Sequence, residues 1–482
     1  MKKIFLFGTA VAALTLASCS SSDDSQQAAD NSGQAQPVAV TRTPVGFDAY
    51  TGRSVTRAGL AGDLNDTRLK LEQADNGGFG VFAYYTDLKK YDQTYVPNFM
   101  YNQGVFWNST SNLWEYSPVM YWPNEYGSNA QSDDEDKVTF FAYAPYVAHE
   151  SAAAGRVDTS TDPTAATWGI TGFSSNSTAG DPLVRYIVSF DPAKTVDLCW
   201  GVVGTEQASD WQLIQTNAAQ TGLTAGKPWL DVEHPKGISQ KLKFTFNHAL
   251  SQLNVQVDAD VDVTEHDGAN EGTLTASETK IYVRSISFTG LATQGSLNLN
   301  NSTANQALWL DYGGTTDLPY GQSVTINDGR RDGREGAENA AADNELPQGL
   351  NPAVVQNTGS TTTGVTTALQ NLFNPGDTGS DEQKLARPVY VIPTGEAMTV
   401  TIVYDVETWN QDLPGYISDG TTHGLSVENR ISKTVNFGGA GMVSGKKYTL
   451  KLHLGMNSVK FDAIVSDWDN TDNTENAWLP SN

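Results

Sequence analysis

An all-β chain of two β-sandwich domains is what this sequence predicts, on three observations. Apolar side chains recur with a period of two, no window of 15 residues sustains a helical period, and the intervening stretches are dense in Gly, Asn, Asp, Ser and Thr, which tolerate turn geometry. Taken in order, Val45, Phe47 and Ala49 alternate with Gly46, Asp48 and Tyr50, a first half-buried strand. Phe79 to Tyr85 and Val138 to Tyr143 are apolar on both faces, as expected for strands in the middle of a sandwich. Leu242, Phe244 and Phe246 alternate with Lys and Thr, and Leu253, Val255 and Val257 with Asn, Gln and Asp. The clearest alternations are Met398, Val400, Ile402, Tyr404 and Tyr448, Leu450, Leu452, Leu454. A last one, Val459, Phe461, Ala463 and Val465, ends at Trp468. Two long polar stretches, 151–180 and 311–385, are expected as surface excursions. The domains are expected at 45–238 and 239–482, with Lys227-Pro228 to Gly237 as the crossover.

The N-terminus predicts export. Lys2 and Lys3 form a basic region, Ile4 to Leu16 an apolar one, and Leu16-Ala17-Ser18-Cys19 a lipobox, so residues 1–18 read as a lipoprotein signal peptide and Cys19 as the acylated residue. Ile4 to Leu16 falls short of the roughly 20 apolar residues that cross a bilayer, so the expected anchor is lipid. Residues 19–44 hold too little apolar bulk to offset the entropy of ordering and read as a disordered tether. The Ser-Ser-Ser-Asp-Asp run after Cys19 resembles a short acidic signal that sends lipoproteins to the outer face of a bacterial outer membrane; a plain solvated linker is the other reading.

Composition narrows the function classes. The 482 residues carry 55 acids against 30 bases, and a net charge of −25 repels phosphate backbones, so no nucleic acid partner is expected. With Cys19 committed to lipid, Cys199 has no disulfide partner. The six histidines lack zinc-ligand spacing, and no metal or other cofactor is expected. Cys199, in Asp197-Leu-Cys-Trp200, has no nucleophile signature and reads as a buried small hydrophobe. Asp258-x-Asp260-x-Asp262 fails as an EF-hand calcium loop, with Val263 where glycine is needed and Ala269 where glutamate is needed, and leaves only a looser surface calcium site as an alternative. No catalytic residue is proposed and the protein is read as non-enzymatic.

Several segments, in order, resemble the fimbrillin family, the type V pilus subunits made as outer-membrane lipoproteins. They are Thr56-Arg57-Ala58, Gly80-Val-Phe-Ala-Tyr84, Tyr121-Trp122-Pro123, Val138 to Pro145, Asp197 to Trp200, Phe246 to Leu253, and Gly445-Lys-Lys-Tyr448 leading to Val465-Ser-Asp-Trp468. The resemblance implies transthyretin-like sandwiches, cleavage by an arginine-specific protease, and assembly with other pilus subunits. Mapped onto this chain, residues 45–57 are a propeptide strand, with Val45, Phe47 and Ala49 facing inward and the cut between Arg57 and Ala58; Arg42 and Arg53 are competing sites. Loss of the strand exposes unpaired backbone and an apolar groove that another strand can fill. Three or four buried apolar side chains stabilise such a contact by roughly 5 to 10 kcal/mol before ordering costs. The donor candidate is 459–482, with Val459, Phe461, Ala463 and Val465; the alternative is that this segment is the last strand of its own domain. The rival function is a surface glycan-binding lipoprotein, whose support is 11 Trp and 19 Tyr, many in polar surroundings. Aromatics in a β-rich chain favour strands and cores, which weighs against it.

Overall fold

The computed structural model describes residues 43–51, 64–71, 77–123, 136–148, 169–188, 196–208, 223–234, 241–259, 279–292, 294–310, 322–327, 354–356, 370–371, 389–395, 397–408, 417–418, 422–423, 425–437, 441–455, 459–467 and 474–477. The signal peptide, Cys19 and the tether as far as residue 42 lie outside them, as do Arg42, Arg53, Arg57 and Ala58. From Thr43 to Asn482 the chain forms one compact unit.

The architecture is β throughout, as the alternations predict. The largest sheet runs β1 (Gly46–Tyr50), β10 (Lys241–His248), β8 (Cys199–Val203), β5 (Lys137–Ala144), β2 (Phe79–Asp87), β3 (Met100–Asn108), β4 (Leu113–Glu115), with β9 (Trp229–Glu233) also paired to β5. A second sheet is β14 (Leu308–Leu310), β13 (Gln294–Asn298), β7 (Leu183–Ile187), β6 (Gly169–Phe173). A third is β17 (Gln370–Asn371), β11 (Ser251–Ala259), β23 (Lys446–Leu454), β24 (Val459–Asp467), β25 (Thr474–Ala477), with β18 (Val389–Val391) on β11. The fourth is β15 (Gln322–Asn327), β12 (Thr279–Leu291), β19 (Met398–Thr408), β22 (Leu425–Val435), with β16 (Val354–Gln356) on β12. Strands β20 (Ile417–Ser418) and β21 (Thr422–His423) pair with each other. A one-turn helix, α1 (Asp66–Leu69), is capped by the Asn65 side chain, which accepts from the Arg68 amide.

The period of two sorts the strand residues between two faces. In the largest sheet, Phe82, Tyr84, Phe141, Tyr143, Trp200 and Val202 point to one face and join Ile170, Val184, Tyr186 and Leu297 of the second sheet in a core that continues into the third and fourth. The opposite face carries Phe79, Val81, Phe140, Ala142, Phe244 and Phe246, and is covered by Phe47, Leu64, Leu69, Trp114 and Trp122. A sheet buried on both faces explains why β5 is buried along its whole length and β2 from Phe79 to Tyr84.

Two expectations need amendment. The polar stretches 151–180 and 311–385 are not wholly surface excursions, because the first contains β6 and the second β15, β16 and β17. Pairing also crosses the expected 238/239 boundary, since β10 bonds to β1 and β8, and β13 to β7. Strands β10 and β11, three residues apart in sequence, enter different sheets: the Ala249 amide bonds to the Leu198 carbonyl at 2.8 Å and the Gly445 amide to the Leu250 carbonyl at 2.8 Å, turning the chain between them.

Candidate functional site: an edge strand and its seat

Strand β1 ends the largest sheet and runs parallel to β10, in the register Phe47 to Leu242, Asp48 to Lys243 and Ala49 to Phe244. Its inward residues Val45, Phe47 and Ala49 are buried while Gly46, Asp48 and Tyr50 are partly exposed, the alternation read from the sequence. The Phe47 ring lies 6.3 Å from Phe79, 5.3 Å from Tyr116, 6.0 Å from Phe140 and 6.1 Å from Phe244, an aromatic socket of the kind that adds to plain area burial.

Both ends of the strand are held. At the start, the Val45 amide donates to the Met120 carbonyl at 2.9 Å and the Trp122 amide to the Thr43 carbonyl at 3.0 Å. The Tyr116 hydroxyl donates to the Val45 carbonyl at 2.7 Å. At the far end, the Thr51 amide and hydroxyl both donate to Asp66 Oδ1 at 2.7 Å. Asp66 lies beyond Arg57 in the chain, so the two sides of the expected cut are joined by hydrogen bonds as well as by the backbone.

Burial pushes the Tyr116 phenol up to about 12, from an ordinary value near 10. A pKa raised in the folded state favours the neutral phenol. The stability it contributes is therefore complete below about pH 10 and is lost as the pH climbs toward about 12. The stability difference between the natural protein and Tyr116→Phe, followed by denaturant unfolding, should shrink across that window; a difference independent of pH would contradict the assignment.

Below the same face, Asp197, Cys199 and His248 come together, all buried. His248 Nδ1 lies 2.8 Å from Asp197 Oδ2 and 3.4 Å from the Cys199 sulfur, and the thiol donates to the same carboxylate oxygen at 3.8 Å. Thiol and carboxylate converge on one ring nitrogen. The three donor atoms lie within 4.8 Å of one another, close enough to share a metal ion. Asp197 Oδ2 also accepts the Leu64 amide at 2.9 Å, which ties the cluster to the segment that follows. Leu64 opens the first described segment after Arg57. Sequence reasoning placed Cys199 in the core but missed that Asp197 and His248 join it there.

At the C-terminal end, β24 pairs antiparallel with β23 from Val459 opposite Leu454 to Asp467 opposite Lys446, and β25 pairs with its other edge. Phe461 and Ala463 are buried there, and Val459 and Val465 half-buried. In this structure the donor candidate 459–482 thus comprises β24, an interior strand of the third sheet, and β25 at that sheet's edge. Trp114, Trp122, Trp200, Trp229 and Trp309 are core residues, while Tyr121 is 44% exposed.

No family model matches the chain. Over 139 residues it is 34% identical to the fimbrium subunit Fim1C of Phocaeicola vulgatus, a match covering 28% of this chain and 29% of that protein, so the chain spans under a third of this curated relative. Among solved structures, a fimbrial protein from Bacteroides vulgatus aligns with 88% of this chain and 99% of its own at 21% identity and a TM-score of 0.49. A protein described as a candidate cell adhesion protein, from Bacteroides uniformis, aligns with 88% and 99% at 12% identity and a TM-score of 0.36. Over that matched stretch the chain is similar to the fimbrium subunit Fim1C, in line with the resemblance of its ordered motifs.

Proposed function

We propose that this protein is a structural, non-enzymatic subunit of a cell-surface adhesive pilus, exported as a lipoprotein through Cys19 and held at the outer membrane until an arginine-specific protease cuts after Arg57. Removal of the propeptide strand then opens a groove for a strand from a neighbouring subunit, and the 459–482 segment serves as the donor. The observation that carries this reading is the seat of β1. One short edge strand, parallel to its neighbour and joined to the rest of the chain through the segment that contains Arg57, fills an aromatic socket with Phe47. Removing it uncovers the rings of Phe79, Tyr116, Phe140 and Phe244 and the free edge of β10, a surface suited to β-augmentation. The division into propeptide, N-terminal and C-terminal sandwich domains belongs to this proposal, with β10, β13 and β14 assigned to the sheets they join.

The glycan-binding alternative has less support, since of the described tryptophans Trp114, Trp122, Trp200, Trp229 and Trp309 are committed to the core and Trp107 is half-buried against it. Arg57→Ala tests the preferred reading. The variant should fold, remain uncut at that position and stay monomeric after protease treatment, while the natural chain assembles; fibres of normal length from Arg57→Ala would refute the assigned site.

A further inference from the structure

The cluster of Asp197, Cys199 and His248 is laid out by the pairing of two strands. Cys199 of β8 stands directly opposite His248 of β10 in the antiparallel register, so their side chains share one face of the sheet. Pairing continues past that point, because the Ala249 amide bonds to the Leu198 carbonyl at 2.8 Å. Asp197, two residues before Cys199, returns to the same face by the alternation of extended chain. Asp197 and His248 are 51 residues apart, too far for spacing in the sequence to reveal the set.

We propose that these three side chains bind one zinc ion, which fastens β8 to β10. Thiolate sulfur, imidazole nitrogen and carboxylate oxygen are the ligand types of protein zinc sites, whereas calcium and magnesium take oxygen. Tetrahedral zinc with its usual bond lengths sets its ligand atoms about 3.3–3.6 Å apart. Here Nδ1 to Sγ is 3.4 Å, Sγ to Asp197 Oδ2 3.8 Å and Nδ1 to Oδ2 2.8 Å. The first two separations are close to that spacing, and the last needs to widen by about 0.5 Å.

Charge and burial favour the same ion. All three side chains are buried, as in a closed structural site. Among the described residues the Asp197 carboxylate is partnered by an amide, a thiol and an imidazole, none with a fixed positive charge. A dication together with the carboxylate and a thiolate sums to zero, which removes the cost of a lone buried charge. The carboxylate is also loaded on one side. Oδ2 takes all three partners, while Oδ1 is buried with no hydrogen-bond partner among the described residues. Oδ1 offers the metal a fourth donor atom, and the Leu64 amide keeps its bond to Oδ2 as an outer contact that orients the carboxylate. On binding, the Cys199 thiol releases its proton to solvent and the imidazole carries its proton on Nε2, leaving the Nδ1 lone pair for the metal. Zinc binding here is independent of strand exchange.

The full chain, produced in cells supplied with zinc and purified without chelator, should carry one zinc per chain by elemental analysis. Produced with cobalt instead, it should show a thiolate-to-cobalt charge-transfer band in the near ultraviolet and the strong visible bands of a four-coordinate ion. Cys199→Ala, a small change at a buried site, should lose the charge-transfer band and bind zinc at least about tenfold more weakly. Its denaturant midpoint should be the same with or without zinc in the growth medium, whereas that of the natural chain should be higher with zinc. A natural chain that carries no zinc, or a cobalt spectrum without the thiolate band, overturns the proposal without recourse to any variant. Zinc retained equally by Cys199→Ala overturns it as well, because that result places the ion elsewhere among the 55 acids and six histidines.

Discussion

Phe47→Ala should lower the free energy that holds β1 in place by about 3–5 kcal/mol, the usual cost of emptying a buried phenylalanine site. The socket gives little scope for collapse, because Phe79, Phe140 and Phe244 are themselves buried core residues fixed on β2, β5 and β10. The loss should be local before it is global. The register of β1 with β10 runs over five pairs and its outer edge has no strand partner among the described residues, so opening it disturbs less than unfolding the sheet. Hydrogen exchange should therefore show faster exchange in 43–51 than in β2 or β5. The control Asp48→Asn, on the outer face, should change stability within about 0.5 kcal/mol. Uniform acceleration across the whole sheet would mean that β1 is integral to the fold and not separable from it.

Asp197→Ala should have a comparable effect for a different reason. One carboxylate oxygen accepts from the Leu64 amide and from His248, and lies within reach of the Cys199 thiol, all in a buried place. Removing it leaves buried donors without an acceptor, each costing about 1–3 kcal/mol, and a broken buried pair of this type costs about 3–5 kcal/mol in total. Asp197→Asn retains one carbonyl oxygen and should recover part of the loss. The consequence reaches the proposed maturation site, because Leu64 pins the chain six residues beyond Ala58. In denaturant titrations Asp197→Ala should shift the midpoint strongly and expose the Leu64 amide to exchange. A shift below about 1 kcal/mol, at the level of an ordinary surface substitution, would show that the cluster does not anchor that segment.

The strands visible in the sequence were those with strict alternation and strong apolar content. Met398 to Tyr404 and Tyr448 to Leu454 emerge with the predicted inward residues buried, as do Val45, Phe47 and Ala49. Strand β6, Gly169-Ile-Thr-Gly-Phe173, was hidden because two of its five residues are glycines and its neighbours are polar. Strands β15, β16 and β17 are short and set in a long polar stretch, where local composition favours a loop. Partnership was less legible than strand content. The sequence contains nothing local that pairs β1 with β10, nearly two hundred residues away, or that sends β10 and β11 to different sheets. The same holds for the contact of Asp197 with His248, which are 51 residues apart and meet only because β8 and β10 are neighbours.

The central claim is that β1 is a removable plug whose loss opens a seat for another chain. It is tested most directly by treating residues 20–482 with an arginine-specific protease, sequencing the new N-terminus and running the product on a gel without boiling. The account predicts an N-terminus at Ala58 together with a ladder of detergent-resistant species; a clean cut at Ala58 that leaves only monomer, with residues 43–51 still bound, would contradict it.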